Sequence, residues 1–157
     1  MRSIAGRIIL AVFASFLIFI WYADRGQSIA LAQQRTPVTA TRLYTGADGL
    51  THVELIRITF PPVAGARAMA EQSEPVKAST AYIVRLAPGF FQDWHNADKR
   101  RYVLPISGKA EVEVSGSQKS SIEPGQIVLA EDLTGKGHTF RVVGTEDWVA
   151  FFVDFAQ

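Results

Sequence analysis

The feature that most constrains the fold is a series of short runs rich in β-branched and aromatic residues, most of them bounded by glycine or proline. These runs are residues 53–60, 81–86, 101–106, 110–114, 126–130, 138–143 and 148–155. Closely spaced runs of this composition, separated by turn residues, are typical of strands in a sandwich or barrel. No segment between them has convincing helical periodicity. The sequence therefore predicts an all-β fold.

The N-terminal segment has the three parts of a secretory signal peptide. Arg2 and Arg7 give a basic start, residues 8–23 are almost wholly apolar, and residues 30–32 (Ala-Leu-Ala) provide the small residues of a cleavage site. We predict a signal peptide over residues 1–32. The alternative is an uncleaved membrane anchor formed by residues 8–23, although a spanning helix needs about 20 apolar residues. Both alternatives export the domain. Cleavage would release it to the periplasm or the medium, and an uncleaved anchor would hold it on the outer side of the membrane.

The rest of the chain is predicted to be one domain behind a leader. Residues 33–48 are assigned to a flexible leader, because their first part is polar with a central proline, and residues 49–157 to the barrel. After residue 32 the chain has 13 Lys and Arg against 14 Asp and Glu. This balance gives no reason to expect nucleic acid as a partner. There is no cysteine, which excludes disulfides and thiolate ligands.

The segment from Gly89 to Gly108 resembles the first motif of the cupin superfamily. In that motif, five residues separate a glycine from His-x-His, and six residues separate a glutamate from a second glycine. Here five residues separate Gly89 from His95, and six separate Arg101 from Gly108. Ala97 stands at the position of the second histidine, and Arg101 stands at that of the glutamate. The glycines and the first histidine agree with the motif, whereas two ligand positions differ.

A later segment resembles the second cupin motif. Gly125 and His138 match its two ends, with a longer loop between them and Glu131 where proline is usual. The resemblance covers about residues 50–155. It implies a small single-domain cupin of the RmlC-like type, which is a double-stranded β-helix, or jelly roll, following the N-terminal signal or anchor helix.

The altered motif argues against a metal cofactor. Metal-binding cupins use both histidines and the glutamate of the first motif together with the histidine of the second. His95 and His138 alone remain here, and catalytic metal sites usually have three or more protein ligands. Arg101 would also keep its positive charge beside the cation. We expect no cofactor. If a divalent transition metal does bind, His95, His138 and Asp93 are the candidate ligands.

The same positions predict a ligand pocket. Arg101 flanked by His95 and His138 is suited to a carboxylate, a phosphate or an enolate. Trp94 and Asp132 complete the candidate ligand-binding residues, with Trp94 as a flat apolar wall. Side chains alternate along an extended segment, so residues 95, 97 and 101 would share a face and Arg101 would point into the pocket. The alternative is that Arg101 pairs internally with Asp132 or Asp93, and that the histidines only satisfy hydrogen bonds in the core.

Three functions follow from these features. The preferred one is an exported cupin-domain protein that binds a small anionic organic molecule. The alternative is an enzyme: a metal-dependent dioxygenase, isomerase or decarboxylase, or a metal-free catalyst with His95 or His138 as base and Arg101 as oxyanion stabiliser. The second alternative is a structural or interaction module without an open pocket. There the aromatic strand 148–155 would pair two subunits. The family resemblance implies a homodimer.

Overall fold

The computed structural model describes residues 36–63 and 70–156. The signal peptide and the alternative anchor predicted within residues 1–32 therefore lie outside the described residues. In the described ranges, no helix is long and apolar enough to cross a membrane.

The contacts divide the chain into two compact units, Met1–Pro37 with Pro62–Ala70, and Val38–Pro61 with Glu71–Gln157. The first unit is described only at residues 36–37, 62–63 and 70. There the backbone N–H of Val63 donates a hydrogen bond to the carbonyl of Ala70 at 3.2 Å. All strands belong to the second unit, and the rest of the description concerns that unit.

The described part of the second unit is built from strands and one short 3-10 turn, Ser115–Ser117. The strands are β1 (Thr39–Thr45), β2 (Thr51–Arg57), β3 (Ala78–Leu86), β4 (Phe91–His95), β5 (Arg101–Ser107), β6 (Lys109–Val114), β7 (Gln118–Ile122), β8 (Val128–Glu131), β9 (His138–Val143) and β10 (Trp148–Phe155). The predicted all-β class is confirmed for these residues. The limits predicted for β9 and β10 are those observed.

The strands form two sheets. The six-stranded sheet has the order β2-β1-β8-β5-β10-β3, and the four-stranded sheet has the order β4-β9-β6-β7. β1 and β8 pair in parallel, and the other paired strands of the described chain are antiparallel. Most neighbours in these sheets are distant along the chain, as in a jelly-roll barrel.

The core lies between the sheets, because each strand turns alternate side chains inward. In β6, Ala110, Val112 and Val114 are buried, whereas Glu111 and Glu113 lie on the outer face as predicted. The core cluster draws on both sheets: Leu43, Val103, Ala110, Val112, Val114, Ile122, Val128, Val142, Trp148 and Ala150. This shared core joins the two sheets into one barrel.

Three strands were missed by sequence reasoning. β1 lies within the segment predicted to be a flexible leader, so the barrel begins at Thr39 rather than at residue 49. It pairs with β2 on one side and with β8 on the other. β4 (Phe91–His95) and β7 (Gln118–Ile122) were also not predicted. β7 has only one buried residue and is ordered by pairing with β6.

The position of β10 changes how a dimer could form. This strand lies inside the six-stranded sheet, with β5 paired along one edge and β3 along the other. Its backbone groups are therefore already hydrogen-bonded within the chain. The hypothesis that residues 148–155 pair two subunits edge to edge does not fit this arrangement. The homodimer itself stays a prediction.

The burial of β1 gives a test of the revised domain boundary. Leu43 is 2 % exposed in the core, so Leu43→Ala should lower the free energy of unfolding by about 2–5 kcal/mol. Leu55→Ala on β2 is the matched control, because Leu55 is 73 % exposed and its loss should change stability by less than about 0.5 kcal/mol. Urea denaturation measures both. Equal small effects would show that residues 39–45 are a leader after all.

Candidate functional site

The barrel encloses a cavity of about 380 Å³ between the two sheets. Most of its wall is apolar and includes residues of the hydrophobic core. The apolar lining residues are Leu43, Val84, Leu86, Phe90, Ala97, Val103, Val112, Ile122, Val128, Ala130, Phe140, Trp148 and Phe152. The more polar lining residues are Tyr82, Gln92, His95, Asn96, Asp98, Arg101 and His138.

Two histidines lie side by side at the cavity. His95 is the last residue of β4 and His138 is the first of β9, and the two are partners in the antiparallel register. Their ring centroids are 4.4 Å apart, with an angle of 55° between the planes. Gly137 makes this approach possible: its φ is +76°, and a Cβ there would lie 2.1 Å from the carbonyl oxygen of His95.

Hydrogen bonds fix the orientation of each imidazole ring. The Nδ1 atom of His95 lies 2.7 Å from the carbonyl oxygen of Asp93, and a carbonyl can only accept, so Nδ1 carries the proton. The Nδ1 atom of His138 lies 2.6 Å from Oδ2 of Asp132, which is fully buried and also accepts from the Thr51 hydroxyl at 3.3 Å. Neither Nε2 atom has a hydrogen-bond partner among the described residues.

The electrostatic environment favours a neutral His95. Burial lowers the pKa of His95 below its ordinary value of 6.5. The hydrogen bond to the Asp93 carbonyl acts in the opposite direction, and a positive charge on His138 would lower the pKa further. With Nδ1 protonated, the Nε2 atom of neutral His95 is a hydrogen-bond acceptor.

Arg101 lies at the cavity as predicted, but its charge is balanced within the protein. Its Nε atom lies 2.9 Å from Oδ1 of Asp154, and its Nη2 atom pairs with Asp98. Asp154 is 2 % exposed, accepts a hydrogen bond from Thr80 at 2.9 Å, and lies 3.4 Å from the amine of Lys99. The predicted internal partners were Asp132 or Asp93. The observed partners are different aspartates.

The segment between the first-motif positions is not extended as assumed. β4 ends at His95, and β5 begins at Arg101 in the other sheet, with a turn between them. His95, Ala97 and Arg101 nevertheless all line the cavity. The turn carries the chain from one sheet to the other across the end of the barrel, and this crossing brings the three residues together.

The remaining candidates lie away from the cavity wall. The Trp94 ring is 38 % exposed and is covered by the amine of Lys136, which lies 3.9 Å from its centroid. The carboxylate of Asp93 accepts a hydrogen bond from the Trp94 N–H at 2.8 Å. Asp132 is the hydrogen-bond partner of Nδ1 of His138 and does not line the cavity. Of the five candidate ligand-binding residues, His95, Arg101 and His138 are brought together there.

The donor set does not fit a metal held in the manner of the cupin motif. Two Nε2 atoms are available, Ala97 has no donor, and Arg101 brings a guanidinium paired with two carboxylates. Asp93, the third candidate ligand, does not line the cavity. In the described part of the chain, no group of three or more histidine, aspartate or glutamate side chains is arranged to hold a metal ion.

The structure of this chain is similar to several solved structures. No protein-family model matches the chain, and no curated protein matches it. A cupin domain from Bordetella pertussis is 17 % identical, with 79 % of this chain and 99 % of that chain covered and a TM-score of 0.41. The cupin domain of Schizosaccharomyces pombe Cnp3 is 10 % identical, with coverages of 78 % and 90 % and a TM-score of 0.43.

A cupin 2 conserved barrel domain protein from Salinispora arenicola is 17 % identical, with coverages of 73 % and 81 % and a TM-score of 0.40. At these values the similarity assigns no family, ligand or activity to the chain. The described domain is a two-sheet jelly-roll barrel, and the histidines of the two motif-like segments, His95 and His138, lie at one cavity.

The main residue of the barrel that sequence reasoning missed is Asp154. It is the one acid within the apolar run of β10, and it is buried. An acid in such a run requires a positively charged partner, because buried charges are rarely left unpaired. That signal was available from the sequence. Gln92 and Asn96, which also line the cavity, had no distinguishing pattern.

The lowered pKa of His95 gives a pH dependence. Because the folded state binds the His95 proton less tightly than the unfolded state, stability should fall as the pH drops below about 6.5. The variant His95→Gln should show a smaller loss of unfolding free energy between about pH 7.5 and 5.5. Urea denaturation at both values measures this, and NMR should place the His95 titration midpoint below 6.5. A midpoint at or above that value would contradict the assignment.

Proposed function

We propose that this chain is an exported cupin-domain protein that binds a small organic molecule in the barrel cavity. The observation that carries the proposal is the pair of neighbouring imidazoles at an otherwise largely apolar cavity. Each ring is anchored through Nδ1, and each has an Nε2 atom without a hydrogen-bond partner in the described chain. Concave apolar sites with a few convergent polar groups are typical of ligand pockets.

The walls of the cavity indicate the body of the ligand. Aromatic and aliphatic side chains such as Phe90, Phe140 and Phe152 surround a volume of about 380 Å³. That volume is near the lower end of the range for small-molecule sites, which is about 300–1,000 Å³. A substituted single ring fits within it with room to spare, because a cavity of about 150 Å³ is enough to bind benzene. The free volume also disfavours the alternative of a structural module without an open pocket.

The histidines indicate the polar group of the ligand. The Nε2 atom of neutral His95 accepts a hydrogen bond, so the ligand should offer an O–H group. Asp132 accepts a hydrogen bond from Nδ1 of His138 and fixes the orientation of that ring, so its Nε2 atom is a second site for the same oxygen. Arg101 is already paired with two carboxylates, which weakens its attraction for a full anion. A weakly acidic hydroxyl, such as that of a phenol or an enol, suits this combination.

Acid–base catalysis without a metal is the second candidate function. The specific observation in its favour is the buried contact of 2.6 Å between Asp132 and Nδ1 of His138. A carboxylate in this position orients the imidazole and stabilises the imidazolium that forms when Nε2 takes a proton. Arg101 could then support the developing negative charge through Nη1, which has no ion-pair partner among the described residues. Binding of the hydroxyl is common to both functions.

Export is proposed from the basic start, the apolar run and the Ala-Leu-Ala sequence of residues 1–32. A periplasmic or secreted domain without cysteine does not depend on the redox state of its compartment. The alternative, an anchored domain on the outer side of the membrane, leaves the proposed ligand site unchanged.

Ligand binding can be tested by NMR titration with 4-cyanophenol and with benzonitrile, which lacks the hydroxyl. We expect 4-cyanophenol to shift the imidazole signals of His95 and His138 and to bind at least about tenfold more tightly than benzonitrile. A site that forms hydrogen bonds to a ligand hydroxyl binds the analogue without that hydroxyl much more weakly. His95→Gln and His138→Gln should each remove most of this difference. His52→Gln is the matched control, since His52 pairs with Asp48 and does not line the cavity.

Equal binding of the two probes, or binding that leaves the His95 and His138 signals unchanged, would contradict the proposal. Conversion of an added enol to its keto form that depends on His138 and not on His52 would favour the catalytic candidate over simple binding.

A further inference from the structure

A second concave site lies on the surface beside the barrel cavity. It is a groove of about 460 Å³, which we call the terminal groove, formed by the ends of several strands and the turns next to them. Its lining residues are Pro75, Val76, Lys77, Asp98, Lys99, Arg100, Leu133, Phe155 and Ala156. Asp98 lines both the groove and the barrel cavity, so the two sites adjoin at this residue.

Backbone hydrogen bonds hold cationic residues on both sides of the end of β10. The N–H of Ala156 donates to the carbonyl of Lys77 at 2.8 Å, and the N–H of Phe155 donates to the carbonyl of Arg100 at 2.9 Å. The guanidinium of Arg100 lies over the Phe155 ring, 5.1 Å from its centroid. The backbone positions of Lys77 and Arg100 are therefore set by the sheet.

Most of the positive charge near the groove is paired with acids. Arg100 shares Glu131 with Arg42, which also pairs with Glu54. Lys99 shares Asp154 with Arg101, whose other partner is Asp98.

Lys77 has no ion pair or side-chain hydrogen bond within the described residues, and Asp98, the acid in the lining, already pairs with Arg101. The groove therefore carries an excess of positive charge centred on Lys77.

The rest of the groove is apolar. Val76 is 43 % exposed and Leu133 is 46 % exposed, and together with Pro75 they form an accessible hydrophobic wall. Single exposed apolar residues need no explanation, but here they lie in one concavity with the cations. An excess of about one charge beside an apolar wall matches a monoanion better than a phosphate dianion.

We propose that the terminal groove binds a small organic monocarboxylate, with the carboxylate at Lys77 and Arg100 and the apolar body against Val76 and Leu133. This inference does not depend on the ligand proposed for the barrel cavity. It assigns anion binding to the outer surface of the domain, whereas the charge of Arg101 inside the barrel is balanced by Asp98 and Asp154.

The test is an NMR titration of the full-length chain with sodium benzoate and with benzamide, its neutral analogue. Benzoate should shift the backbone amide signals of Lys77, Arg100 and Ala156, and benzamide should not. Raising the salt concentration from about 0.05 to 0.5 M should weaken benzoate binding, because exposed charges are screened. Lys77→Gln should weaken it by about fivefold, the upper range for one exposed ionic contact.

The matched control is Arg57→Gln. Arg57 is an exposed cation on β2, at the opposite edge of the six-stranded sheet from β3, and it has no ion pair in the described chain. Its loss removes one net charge and should change benzoate affinity by less than about twofold. Equal effects of the two variants, equal binding of benzoate and benzamide, shifts confined to His95 and His138, or no shifts at millimolar benzoate would each overturn the proposal.

Discussion

The ion pair between Arg101 and Asp154 is the interaction on which the rest of the site depends. The two residues are register partners on the adjacent strands β5 and β10, and both are largely buried. A buried charge without its partner costs several kcal/mol, so neither residue can be removed without consequence for the other. In the resemblance to the cupin motif, Arg101 stands at the position of the glutamate, so this pair brings a fixed positive charge to the place of a metal ligand.

The sequence predicts that Arg101, His95 and His138 act together on an anionic ligand in one pocket. The Arg101–Asp154 pair instead leaves the two histidines as the groups free for a ligand there. Inside the barrel, the guanidinium is balanced by two aspartates, and the groups left for a ligand are the Nε2 atoms of His95 and His138. Outside, Lys99 reaches the same Asp154 from the terminal groove, where Lys77 has no partner in the described chain. This separation is the basis of the two proposals, a hydroxyl ligand in the barrel and an anion in the groove.

The parts of the fold that could be predicted are those whose information is local. The alternation of valine and glutamate in β6 and the continuous apolar run of β10 specify strands by themselves. β1 and β7 have no such pattern, and they are ordered by pairing with strands far away in the sequence. The same limit applies to the site: glycine and histidine spacing located His95 and His138, but the partner of Arg101 lies 53 residues later.

The glycine of the second motif region shows how local and distant information combine. Gly137 could be read from the sequence as a turn residue, but its role is to let the chain pass against the backbone of His95. Only the pairing of β4 with β9 makes that role visible. Trp94 illustrates the opposite case, because a residue next to a correctly placed histidine was assigned to the pocket and lies under Lys136 instead.

The central proposal is that this barrel has the Arg101–Asp154 ion pair and two histidines at the position where the cupin motifs would supply a metal site. Its most direct test is the transition-metal content of the protein, purified without chelator or affinity tag, measured by mass spectrometry in the wild type and in His138→Ala. The account predicts far less than one metal ion per chain in both proteins. A stoichiometric metal in the wild type that is lost in His138→Ala would contradict it.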